Sequence, residues 1–230
     1  MKKPGKNPKR TAAFKDATKN RRAALQVERI LDFWLTRDQG AKDDAHLWKR
    51  WFVIDREFDR RCKALFLKSY MDAGFGRLDG WRETPRNCLA LVLLLDQLPR
   101  NMFRGTARAF ATDAKAREVS RYAIASGFDH ELPLIMRYFF YLPFEHSEDL
   151  HDQMESVRLA LTLANEYGES AEGTEILGSA QLHHRIIRRF GRFPGRNQVL
   201  RRRSTKEEVE FLKQMSKEEI EFLKQMNEKY

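Results

Sequence analysis

The chain has 230 residues, 42% of them hydrophobic and 33% charged, which is the balance of a water-soluble globular protein with room for a sizeable core. No apolar run is long enough to span a bilayer, and the first 24 residues lack the apolar stretch of a signal peptide, so a cytoplasmic protein without a membrane partner is expected. Cys62 and Cys88, the two cysteines, sit in no metal-ligand spacing and read as reduced thiols in or near the core.

The net charge of +10 is uneven. Residues 1–22 carry nine Lys/Arg and one Asp, and residues 185–203 carry eight Arg and no acid, so the remainder nets −6. The first segment is Lys-rich, holds Pro4, Gly5 and Pro8 and has little to bury, so residues 1–22 read as a disordered basic tail. Phe14 is its one aromatic, which makes it a weak signal for nucleic acid. The second segment interleaves arginine with Ile186, Ile187, Phe190, Phe193 and Val199, and with the tail it leaves RNA or DNA association as a third reading.

From Ala23 the pattern turns helical. Val27, Ile30, Leu31, Trp34 and Leu35 share one face, and Gly40 ends that element. Leu47, Trp48, Trp51 and Phe52 mark a short helix. Phe58, Cys62, Leu65, Phe66 and Tyr70 mark a longer one from about Asp55, stopped by Gly74 and Gly76. Thr84-Pro85 then starts a helix whose residues Leu89 to Leu95 are apolar without interruption, so it can show water no face, and Pro99 should close it. Asp113 is placed to cap the next helix, Pro133 opens another that Pro143 should break, and Ser147 is placed to cap a helix with an apolar stripe of Leu150, Met154, Val157, Leu161 and Ala164. Ile176, Ala180, His183, Ile187 and Phe190 mark the next face, ended by Gly191. No β-branched alternation runs between turn signals. The fold class is therefore all-α, about eight to ten helices joined by short loops, with residues 23–204 as one domain of antiparallel helix pairs.

Residues 205–230 hold a direct repeat. Thr205-Lys-Glu-Glu-Val-Glu-Phe-Leu-Lys-Gln-Met215 recurs as Ser216-Lys-Glu-Glu-Ile-Glu-Phe-Leu-Lys-Gln-Met226, identical at nine of 11 positions. Each copy opens with a capping box, Thr205 with Glu208 and Ser216 with Glu219. A plain duplication and a helix for self-association both fit this pattern.

Three stretches are polar yet embedded in aromatic sequence, each at a Pro or Gly break. The first holds Asp96, Gln97, Arg100, Asn101 and Arg104. The second holds Glu145, His146, Ser147 and Glu148. The third holds His183, Arg189, Arg192, Arg196 and Asn197. Helix ends on a rigid scaffold commonly carry function. Guanidinium groups among aromatic rings suit a phosphate or carboxylate, so these residues form a candidate site for a small anionic molecule, with His146, Glu145 or Glu148 as candidates for proton transfer. The same residues would also serve a structural ion-pair network. No metal is expected: His183 and His184 are adjacent, so on a helix they diverge by about 100°, and no HExxH pattern is present. No motif assigns a cofactor.

These stretches carry a family resemblance. The runs LALVLLLDQLPRNMFRGTARAFATD, FFYLPFEHSEDL and RRFGRFPGRN, with the early ILDFWL, resemble the bacterial family of unknown function called DUF924 over about Val27 to Met215. The resemblance implies a TPR-like superhelix of antiparallel helix pairs, although the usual 34-residue TPR signature is absent. It implies no activity, and so leaves a protein- or peptide-binding scaffold beside the anion site as a second reading. Family members usually read Phe-Pro-His-Arg-Asn where this chain has Phe193-Pro-Gly-Arg-Asn197.

Overall fold

The computed structural model describes residues 8–36, 47, 50–51 and 54–214, with side chains from residue 20 onward. Among them every regular element is helical. The expected helix end at Gly40, the positions of Trp48 and Phe52 and the second repeat copy lie outside the described residues.

Helix α1 runs Pro8–Leu35. It begins inside the stretch read as a basic tail, with helical backbone from Pro8. The reason is propagation. Val27, Ile30, Leu31 and Trp34 are buried and nucleate the helix, after which the Ala, Lys and Arg residues upstream extend it at little cost. Helix α2, Arg56–Gly74, is capped by Asp55, whose carboxylate accepts the amides of Glu57 and Phe58. Phe58, Cys62, Phe66 and Tyr70 face inward as the spacing predicts, while Leu65 lies at the margin.

The central element is Pro85–Val92 (α3), with Pro85 in its first turn. All seven residues from Leu89 to Leu95 are fully buried. At about 2 kcal/mol for each large apolar side chain, this run is a main source of stability. Helices α1, α5 (Asp113–Ala125) and α6 (Leu134–Glu145) pack against it. Trp34 stacks on Trp51 and meets Phe139 edge-on, and the Trp51 indole donates to the carbonyl of Trp34 at 2.9 Å. Burial pushes both thiols, Cys62 and Cys88, to about 12.

Two prolines do not end their helices. After Val92 the chain makes a wide turn over Leu93–Gln97, in which the Leu98 amide reaches back to the Leu93 carbonyl, and a short helix α4, Leu98–Met102, follows. Pro99 cannot donate to the carbonyl of Leu95, four residues back. That carbonyl accepts the Thr112 hydroxyl at 2.6 Å instead, so it is not orphaned and the chain stays helical. Pro143 likewise lies inside α6, where burial of every residue from Arg137 to Glu145 offsets the roughly 3 kcal/mol that an interior proline costs.

Helices α7 (Leu150–Tyr167) and α8 (Ala171–Phe190) pack on each other and α7 on α6. The inward face of α7 differs from the expected stripe. Met154 is 57% and Leu161 47% exposed, whereas Gln153, Ser156, Leu159, Ala160 and Leu163 are buried. Gln153 joins the buried face because it ties off the end of α6, donating to the carbonyls of Glu145 and Ser147 at 2.7 Å each. Two caps also differ by position. Asp149, not Ser147, caps α7, and Thr112 precedes α5, leaving Asp113 for another contact. Residues 206–214 form a last helical stretch, α9, opened by the expected capping box: the Glu208 amide donates to Thr205 Oγ1 and the Thr205 amide to Glu208.

Candidate functional site

The wide turn at Leu93–Gln97 aims Asp96 and Gln97 away from the helical phase of the apolar run. Such turns insert one residue into the ladder and recur at functional positions. The Asp96 carboxylate is 0% exposed. It accepts His146 Nδ1 at 2.9 and 3.1 Å and Gln97 Nε2 at 2.6 Å, and lies 3.3 Å from Arg100 Nη1. Burial would raise this carboxyl, but Arg100, His146 and Gln97 together hold it well below the usual carboxylate range. Arg100 also donates to the Asp96 carbonyl and, through both terminal nitrogens, to Asp113 at 3.1 and 3.2 Å. Burial and the neighbouring Asp96 charge raise Asp113 in spite of Arg100.

Arg196 completes this edge. It stands in a short turn, Pro194–Arg196, after α8. Its guanidinium lies over the rings of Phe110 and Phe193, 4.6 and 4.5 Å from their centroids. Its charged contact is Asp113 at 3.6 Å, and its side chain makes no hydrogen bond to any described residue. Burial, then the Arg100 charge, lower it to about 10.

The two histidines are shifted in opposite directions. Asp96 is ionised, so His146 Nδ1 carries the proton that it donates, and in the neutral ring Nε2 holds a lone pair. Burial, followed by the Arg100 charge, lowers His146 despite the Asp96 carboxylate. Its Nε2 makes no hydrogen bond to any described residue. His183, on α8, lies 6.5 Å from His146 between ring centroids. Its Nδ1 meets the Ser179 carbonyl at 2.9 Å and Glu145 at 3.1 Å. Burial opposes its charge, but Glu145 prevails and raises His183. Glu145 in turn accepts the Ser179 hydroxyl at 2.7 Å, and despite its burial His183 holds it low.

Of the residues singled out in the sequence, Asp96, Gln97, Arg100, Glu145, His146, His183 and Arg196 thus form one contiguous cluster. The others have different partners. Arg104 and Asn101 both bond Asp59, Arg104 through two nitrogens at 2.7 and 2.9 Å. Arg189 pairs with Glu207. Arg192 holds Glu208 at 2.7 and 2.9 Å, with Asn197 on the same carboxylate at 3.2 Å. Glu148 borders the cluster: it accepts the Phe193 amide and two nitrogens of Arg202. The sequence reading missed Asp113, Phe110 and Ser179 as cluster members and Asp59, Arg202 and Glu208 as partners of the outlying residues. Asp113 and Phe110 lie in the run ARAFATD, and that proximity to Arg100 was the one signal available. A groove of about 600 Å³ between α1 and α2, lined by Arg22, Gln26, Arg29, Phe66, Lys68 and Asp72 among others, contains none of these residues. No group of three or more His, Cys, Asp or Glu among the described residues is placed to hold a metal ion. No helix among them is long and apolar enough to cross a membrane.

The model of the DUF924 family, described as a bacterial protein of unknown function, matches residues 30–216. The chain belongs to this family. Among solved structures, it is similar to a protein of unknown function, ATU0120, from Agrobacterium tumefaciens. The two are 39% identical, the match covers 84% of this chain and 99% of that one, and the TM-score is 0.71. No curated protein matches. Every polar stretch that builds the cluster falls inside the DUF924 match, from Asp96 to Arg196.

Proposed function

We propose that the corner formed by Arg100, Arg196, His146 and His183 binds a small anionic molecule that bears a phosphate or a carboxylate. One observation carries this reading: Arg196 is fixed between two aromatic rings with its donors unused by any described side chain or carbonyl. Arg192 and Arg202, by contrast, each hold a carboxylate in their fork. His183, which Glu145 raises above the ordinary histidine value, lies beside the same corner. Among the three candidates for proton transfer, His146 fits best. Its Nε2 lone pair is unused and Asp96 fixes the ring, whereas Glu145 and Glu148 are already paired with His183 and Arg202. The reading therefore includes general-base chemistry at His146 on the bound anion.

Thermal shift with inorganic phosphate, phosphorylated metabolites and short carboxylates tests it. Stabilisation of the wild type that disappears in Arg196→Met is the expected result. Arg196→Met itself should lower stability by about 1 kcal/mol, the scale of the cation–π contacts it removes. No stabilisation by any of these anions, or equal stabilisation in the variant, overturns the proposal.

A TPR-like scaffold for a protein partner is a second reading. The exposed apolar face of α7, with Leu150, Met154 and Leu161, supports it. Nucleic acid has less support, because the arginines of residues 185–203 that the structure pairs face carboxylates of this chain.

A further inference from the structure

The stretch α9 is held to the body through five residues of the first repeat copy. Glu208 receives Arg192, Asn197 and the Thr205 amide, and the Thr205 hydroxyl caps the helix. Phe211 packs on Phe190 at 5.0 Å, and Arg189 lies over both rings while pairing with Glu207. Leu212 Cδ2 lies 4.0 Å from where a Cβ on Gly195 would stand. Eleven residues on, the sequence repeats each of these groups: Ser216 for Thr205, Glu218 for Glu207, Glu219 for Glu208, Phe222 for Phe211 and Leu223 for Leu212. The two differences, Thr to Ser at the cap and Val209 to Ile220, keep a capping hydroxyl and an apolar side chain. Among the described residues there is thus one such docking surface, and the sequence holds two segments with the groups it binds.

We propose that the surface made by Arg189, Phe190, Arg192 and Asn197 is a receptor for the pattern Ser/Thr-x-Glu-Glu-x-x-Phe-Leu, and that Ser216–Met226 exchanges with Thr205–Met215 on it within one chain. Exchange is a slip of eleven residues that leaves the first copy as a loop. The first copy prevails, because Ser204 leads straight into it. The second stays within reach, since closure entropy grows only logarithmically with loop length. Exchange between chains would have to compete with a tethered segment at an effective concentration on the order of millimolar. This inference does not depend on the anion site.

Three variants of the full chain test it: Glu208→Ala with Phe211→Ala, Glu219→Ala with Phe222→Ala, and all four changes together. Amide exchange should show protection over 205–214 in the wild type and its transfer to 216–226 in the first variant. The thermal midpoint of that variant should fall by less than half the drop of the fourfold variant, and the second variant should match the wild type. Equal midpoints for the first and fourfold variants, with no protection over 216–226, overturn the proposal. So does a first variant that sediments as a dimer at micromolar concentration, because the second copy would then be docking between chains.

Discussion

Two arginine clusters in this molecule look alike in sequence and differ in how their donors are used. At the α9 docking surface Arg192 forks onto Glu208, and at the border of the other cluster Arg202 forks onto Glu148, each with two bonds of 2.9 Å or less. Each guanidinium has its complement. At the corner around Asp96 and His146, Arg100 divides itself between Asp96 and Asp113, and Arg196 is left with one contact of 3.6 Å and two ring faces. Arginine content identifies neither as a site. The count of donors still without an acceptor separates them, and it points to Arg196.

The strongest way to break this contrast is to remove the acid that organises the corner. Asp96→Ala leaves Arg100 and His146 buried beside a missing charge, and should cost about 3–5 kcal/mol in chemical denaturation. A loss below about 1 kcal/mol would mean that the corner is loosely held and not preorganised.

The histidines offer a smaller, sharper test. His183 is raised above the ordinary 6.5 and His146 is lowered below it. The stabilisation from His183 is therefore complete below pH 6.5 and fades as pH rises through its folded value. That from His146 is present above pH 6.5 and fades as pH falls through its folded value. As pH rises from acid, the imidazole NMR resonance of His146 should titrate before that of His183. A common midpoint would remove the basis for a neutral base beside a charged donor. The smallest effect is expected at Arg104, whose pair with Asp59 is partly exposed: Arg104→Ala should cost roughly 0.5 kcal/mol and leave anion stabilisation intact.

Much of the fold is legible in the sequence because burial leaves a periodic mark. The uninterrupted run Leu89 to Leu95 announces the central helix, and the spacing of Phe58, Cys62 and Phe66 announces which side of α2 is inside. The mark misleads on α7, where Gln153 is buried for its hydrogen bonds and Leu161 is outside. Pro99 and Pro143 mislead for a related reason. A local rule assigns them to breaks, but the cost is met by tertiary partners such as Thr112. At the candidate site the three stretches could be read as polar groups at helix ends. Which arginine faces which acid could not, because Asp59, Asp113, Glu148 and Glu208 are equivalent as letters and are sorted only by packing.

The single extra residue in the turn at Leu93–Gln97 makes this stretch unusually sensitive to length. Upstream of it the helix presents leucines inward, and downstream the frame has advanced by about 100°. Removing one residue between Leu93 and Leu95 would restore a regular ladder and swing the Asp96 carboxylate off His146, with composition, hydropathy and net charge almost untouched. Alignment gaps at this point would therefore sort relatives that keep the corner from those that have lost it more reliably than any substitution there.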